Sequence, residues 1–252
     1  MKYTPPIKFK FDKKKHTYTS EDGKLLTGVT NILKNLAKPA LIQWSANECA
    51  NYFKKNFSKI TKENLEAELK VAKVSHRKIA STSAKIGSAV HEYIEEYYKR
   101  EGVAPEEYLQ ALEMPYTDIM QVKLGIDAFI SWNSTREPKI VSSELRVVSK
   151  EHSFAGTLDF LMEVDGELIL GDFKTSKAIY PEYWLQLAGY QIALEEGGIK
   201  PIKRLAVRLD KKTGKFYEEY APTPLDFDKD TFIKLREIHK WIVYCENNLK
   251  KY

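Results

Sequence analysis

Apolar and polar positions recur with two different periods along this chain. From Val29 to about Trp132 the apolar residues return every three or four positions, the mark of helices that bury one face. After Pro138 the period shortens to two, and strands are predicted. "TGVTNILKNL" starts one helix, with a threonine available as N-cap. Pro39 opens a second, "PALIQWSANECANYFKKN", and "TKENLEAEL" opens a third, where Thr61 and Asn64 only partly match a capping box. "SAKIGSAVHEYIEEYYKR" reads as a further long amphipathic helix ending before Gly102, and "DIMQVKLGIDAFISWNS" as another. Ahead of all these, residues 7–19 read as two short strands around the basic turn "DKKK", and "SEDGK" as a turn.

Beyond Pro138, "KIVSSELRVVS" reads as a strand and "GTLDFLMEVDGELILGDFKTSK" (156–177) as a hairpin. "PEYWLQLAGYQIALEEGG" reads as a helix opened by Pro181 and stopped by Gly197 and Gly198. "IKRLAVRLD", "KKTG" and "KFYEEYA" give strand, turn and strand, and a last helix runs from about Asp228 to Leu249. No repeat or low-complexity linker interrupts the pattern. The expected architecture is a helical N-terminal half wrapped on an α/β core.

The hairpin carries charge where a buried strand pair has no need of it. With Asp165-Gly166 as a two-residue type I′ loop, Val164 faces Glu167 and the register places Asp159 opposite Asp172. Side chains so opposed have Cβ atoms about 4.5–5.5 Å apart, so two carboxylates repel unless a cation lies between them. Lys174 shares their face by the two-residue period. Leu158, Phe160, Met162, Val164, Ile169 and Phe173 form the opposite, plainly apolar face, while Leu161, Leu168 and Leu170 partly cover the aspartates. The residues alone leave two readings open. Lys174 neutralises one aspartate at a sheet end, or the pair of acids holds a divalent metal with an ammonium beside it. A one-residue bulge would change the pairing.

Other side chains stand where they can join these three. Glu144, in the preceding strand, is either a surface residue paired with Arg146 or a neighbour of the aspartates. His91 and Gly87 share one helix face, and the glycine lets that helix approach another backbone. A lone helical histidine is, equally, a packed or surface residue. Gln186 and Tyr190 are also four apart, on the helix after Lys174; the plain alternative is a buried Gln serving backbone groups and a core Tyr. Tyr93, Tyr97, Tyr98, Tyr180, Tyr183, Trp184 and Trp44 suit core packing better than base stacking.

Composition narrows the classes. The chain has 252 residues, 43% hydrophobic and 30% charged, as a folded protein does. There is no apolar run long enough to span a membrane, and the basic start lacks the apolar segment of a signal peptide. Only Cys49 and Cys245 are present, which points to a reduced, cytoplasmic setting and leaves too few thiolates for an iron–sulfur cluster. No Walker A sequence provides for ATP, and neither GxSxG nor HExxH occurs. The net charge is +5, yet residues 1–74 hold 15 Lys against 7 acids. That excess suits a polyanion partner or a solvated surface alike.

"GSAVH", "SSE", "GTLD", "GDFKT" and "QLAGY", in that order over residues 84–190, resemble the RecB-like branch of the PD-(D/E)XK nuclease superfamily. "HTYTSEDGKLLTGVTNIL" and "LIQWSANECANY" further resemble its bacteriophage-type exonucleases. Leu158 precedes Asp159, so the literal "PD" is missing. The resemblance implies a restriction-endonuclease-like core, a central mixed β-sheet flanked by helices, over 84–252. That core would carry a helical insertion at 103–135 and a C-terminal helix, behind a basic N-terminal region at 1–83. It implies Mg²⁺ or Mn²⁺, with His91 tilting the preference toward Mn²⁺. His91, Asp159, Asp172 and the Phe173 carbonyl would be metal ligands, Glu144 a supporting acid and Lys174 the catalytic lysine. Gln186, Tyr190 and Thr175 would position lysine and strand. DNA ends or single strands would be the substrate, with Lys13, Lys14, Lys15, Lys54, Lys55 and Lys85 along the strand path. A recombination or replication protein would be a partner, and a bacterial host's cytoplasm the setting. A structure-specific endonuclease of the same chemistry and a non-catalytic DNA-binding module stand as alternatives.

Overall fold

Asp12 pins the first turn: its carboxylate accepts hydrogen bonds from the backbone N–H groups of Lys14 (2.9 Å) and Lys15 (3.0 Å). This is seen in a computed structural model that describes residues 2–100 and 102–249. The turn joins β1 (Phe9–Asp12) to β2 (Thr17–Ser20), and β3 (Leu25–Gly28) follows. β3 was not expected, because its last residues, Thr27 and Gly28, read with the helix that follows them directly. Its presence moves the start of α1 (Val29–Leu33) to Gly28, which caps it without a side chain, so no threonine N-caps this helix.

α2 (Pro39–Asn56) has the limits its Pro39 start predicts. The next two expected helices are one. α3 runs unbroken from Leu65 to Lys99, because no proline or turn pair lies between them and the single Gly87 costs only about 1 kcal/mol. α4 (Pro105–Gln110) and α5 (Tyr116–Arg136) complete the helical half. Then come β4 (Lys139–Ser149), β5 (Phe154–Val164), β6 (Glu167–Lys174) and α6 (Glu182–Glu196). β7 (Lys203–Leu209), β8 (Phe216–Tyr220) and α7 (Leu225–Leu249) close the chain. α7 begins three residues before the expected Asp228, and that aspartate lies buried in an ion pair with Arg204. No helix among the described residues is long and apolar enough to cross a membrane.

The eight strands form one mixed sheet, in the order β1-β2-β3-β5-β6-β7-β8 with β4 also on β5. Asp165 and Gly166 both have positive φ (52° and 80°), as a type I′ turn requires. The expected register holds from Val164↔Glu167 to Phe160↔Gly171 and stops there. β4 lines one edge of β5. The other edge is shared: β6 takes residues 160–164 and β3, parallel, takes Phe154 and Ala155. Between them, at residues 156–159, the sheet is forked.

The fork also turns the strand over. Strict alternation places Leu158 with Phe160; instead Leu158 packs with Leu161, Leu170 and α6, while Phe160, Met162, Ile169 and Phe173 pack under α3 and α5. The β4–β5 pairing lapses at Glu144 opposite Asp159, and Glu144 has φ of 50°. A non-glycine residue in that left-handed region costs about 1–3 kcal/mol. Val164, beside the turn, is 41% exposed rather than core. α1, α6 and α7 thus cover one face of the sheet and α3 and α5 the other, and both layers meet at the fork.

Candidate active site

Asp159 sits in the fork. In place of the missing ladder bond, its Oδ2 accepts the backbone N–H of Phe173 at 2.6 Å. The two aspartates therefore sit at the ends of diverging strands, one past the last paired residues. From the α3 side, His91 Nδ1 comes to 3.5 Å from the same Oδ2. Glu144 arrives from β4. One ligand atom each from His91, Glu144 and Asp159 lie within 4.8 Å of one another. The left-handed backbone at Glu144 is what aims it here, and no hydrophobic period can announce such a residue.

The α6 side holds a second group. Lys174 Nζ lies against Asp172 Oδ2 and donates to Gln186 Oε1 at 3.0 Å. Gln186 Nε2 donates to Asp172 Oδ1 (3.1 Å) and to the Tyr190 hydroxyl (2.9 Å). The Tyr183 ring stands 4.6 Å from the ammonium, a cation–π contact that motif reading missed. Gly156 makes room for Tyr190: a Cβ there would be 2.5 Å from its ring. Gly87 does the same for the strand end after Lys174. A Cβ on Gly87 would be 2.9 Å from Thr175 Oγ1, so what it admits is a side chain rather than the backbone expected.

Burial and like charge set the electrostatics of the site. Burial pushes Glu144 up to about 7, and the Asp159 charge adds to the shift. Burial likewise pushes Asp172 up to about 6, again with Asp159 contributing. Burial works against the Asp159 charge too, but His91, Lys174 and the Phe173 N–H outweigh it and hold this carboxyl below its ordinary value. Asp172 Oδ2 is buried against the Lys174 ammonium. Three crowded carboxylates with an imidazole beside them fit a hard divalent cation.

The expected DNA lysines are scattered. Lys13 pairs with Glu95 (3.5 Å) at the rim of the hollow that holds His91 and Glu144. Lys14, Lys15, Lys54, Lys55 and Lys85 line none of the hollows around the site. Most of the aromatic residues are core, as expected; Tyr93 and Trp184 are buried, and Trp44 meets His76 edge-on between α2 and α3. Tyr180 is 40% exposed.

The family model of the PD-(D/E)XK nuclease superfamily matches residues 64–247. The chain belongs to that superfamily. Among solved structures it is similar to the crystal structure of SSO0001, at 13% identity and a TM-score of 0.33, over 77% of this chain and 84% of that one. It is also similar to the crystal structure of LHK-Exo in complex with dAMP, at 13% identity and a TM-score of 0.36, over 67% of this chain and 96% of that one. No curated protein matches the chain.

Proposed function

We propose that this nuclease hydrolyses phosphodiester bonds in DNA with Mg²⁺ or Mn²⁺, as an exonuclease of the RecB-like branch. It would act on DNA ends in phage recombination, replication or repair. The observation that carries the reading is the convergence of His91, Glu144 and Asp159 at the fork, with Asp172 and Lys174 across it. Asp159, His91, Asp172 and the Phe173 carbonyl are assigned as ligands. Glu144 joins them, since it lies as near Asp159 and His91 as a ligand does. When bound, the ion supplies Lewis-acid polarisation of the phosphate and a more acidic water.

The chain's own residues do the rest. Lys174, held against Asp172 at the fork, stabilises negative charge developing on the phosphate oxygens. Gln186 and the Tyr183 ring fix its position, so little reorganisation accompanies the reaction. Tyr190 orients Gln186. Thr175, beside Gly87, is assigned to the strand path.

The deciding experiment is cleavage of linear DNA with Mg²⁺ or Mn²⁺ and an EDTA control. Metal-dependent loss of linear DNA, with covalently closed circles spared, is expected. Cleaved circles would replace the exonuclease by an endonuclease, and no cleavage with either ion would overturn the enzymatic reading.

A further inference from the structure

Next to the fork lies a second hollow, of about 610 Å³. Its lining includes Thr175, Ser176 and Lys177 from the end of β6, and Arg208, Lys211 and Lys212 from the end of β7 and the turn beyond it. β6 and β7 are parallel and paired through Lys174↔Arg208, so the hollow opens at their carboxyl ends, where ligands of open α/β sheets collect. Its one acid, Asp210, is already engaged by Arg208 (3.0 Å) and by the N–H groups of Lys212 and Thr213. Among the described residues no carboxylate pairs with Lys177, Lys211 or Lys212. Burial and the neighbouring charges of Lys177 and Lys212 both hold Lys211 below the ordinary lysine value, as unneutralised cations in one place must.

α3 ties this hollow to the metal-facing cluster. Ile79 and Ser83 line the hollow, Gly87 abuts Thr175, and His91 faces Asp159, each one helical turn beyond the last. Ser83 and His91 are thus about 12 Å apart along the axis, at about 1.5 Å per residue. We propose that this cleft is a second anchorage for the DNA backbone. It takes phosphates about two to four nucleotides from the scissile bond, at an axial rise of about 3.4 Å for a stacked strand and more for an extended one. Lys177, Lys211 and Lys212 are its binding residues and the Ser83 and Thr175 hydroxyls its neutral donors. The opposite rim of the fork is mixed, with Glu92 and Glu95 beside Lys13 and Arg146 and Lys13 already paired with Glu95, whereas the three cleft lysines have no acid partner among the described residues.

The inference rests on DNA being the substrate, and the test separates the two. A short fluorescent single-stranded DNA is titrated in EDTA at several salt concentrations, and cleavage kinetics are measured separately with Mg²⁺. The Lys177→Ala/Lys211→Ala/Lys212→Ala variant is compared with Lys139→Ala/Lys200→Ala/Lys203→Ala, a charge-matched change at the hairpin end of the sheet. The cleft variant is expected to bind about ten-fold more weakly or worse, with a salt slope shallower by about 2, at about 0.7 per lost contact. KM should rise while kcat at saturating DNA stays within about two-fold. Lys211 also donates to the Ser83 carbonyl (3.3 Å), so Lys211→Arg, which keeps the charge, should retain binding if charge is what matters. Equal losses in both triple variants, or an unchanged slope in the cleft variant, would overturn the cleft while leaving the nuclease intact. A wild-type protein that neither binds nor cuts DNA would overturn both.

Discussion

The two sides of the fork are built on opposite principles. On the α6 side every partner is named: Lys174, Gln186, Asp172, Tyr190 and Tyr183 form a closed set of hydrogen bonds and a cation–π contact. On the α3 side His91, Glu144 and Asp159 crowd together, with one carboxyl pushed up to about 7 and a strained backbone beneath it. One side is finished by folding; the other is left with a surplus of donor atoms that an ion would use. A closed network positions a group, and an open cluster binds something.

The contrast can be broken by exchanging the roles of the two sides. The largest effect is expected on the open side. Asp159→Ala should weaken Mn²⁺ binding by more than about 100-fold, since even groups behind a ligand are worth about 10–100-fold, and cleavage should vanish with it. Calorimetry reads the affinity, and unchanged binding would remove Asp159 from the ligands. Next comes Lys174→Ala, with cleavage down by about 10²–10³-fold while metal and DNA affinity stay within a few-fold. Full retained activity would sink the assigned chemistry.

A smaller effect tests the closed network itself. Gln186→Ala leaves Lys174, Asp172 and Tyr190 each short of a partner, and should cost about 1–3 kcal/mol in denaturant unfolding. Metal affinity should fall by about 10–100-fold at most, because Gln186 stands behind Asp172, whereas a loss as large as that of Asp159→Ala would show that the two sides are not separate. The smallest effect is at the seam. Gly87→Ala pushes on the Thr175 hydroxyl, a movable side-chain end, and should lower activity less than ten-fold. Gly87→Ala with Thr175→Ala should be no worse than Thr175→Ala alone, and a further loss would mean that the glycine serves another purpose.

The same contrast explains what the sequence could reveal. The closed side lies on regular elements, so a two-residue turn and an i, i+4 pair sufficed to place Asp172, Lys174, Gln186 and Tyr190 near one another. The open side depends on irregularity. Glu144 reaches Asp159 through a left-handed residue in mid-strand, and Leu158 changes face at the same point. Neither leaves a trace in a period-two pattern. β3 runs directly into the helix after it, and α3 was divided where nothing in the chain divides it. The lysines at the ends of β6 and β7 went unnoticed because they are about 35 residues apart and converge only through parallel pairing.

α3 has one more consequence, and it concerns time. Its buried residues are concentrated from Ile86 to Ile94, while Val71, Val74 and Ile79 are between 43% and 48% exposed. Amide exchange should therefore run fast through the first turns and slow abruptly near Ile86. His91 lies inside the slow block and Ser83 just outside it. Opening from the first turns is thus expected to die away before it reaches the His91 imidazole.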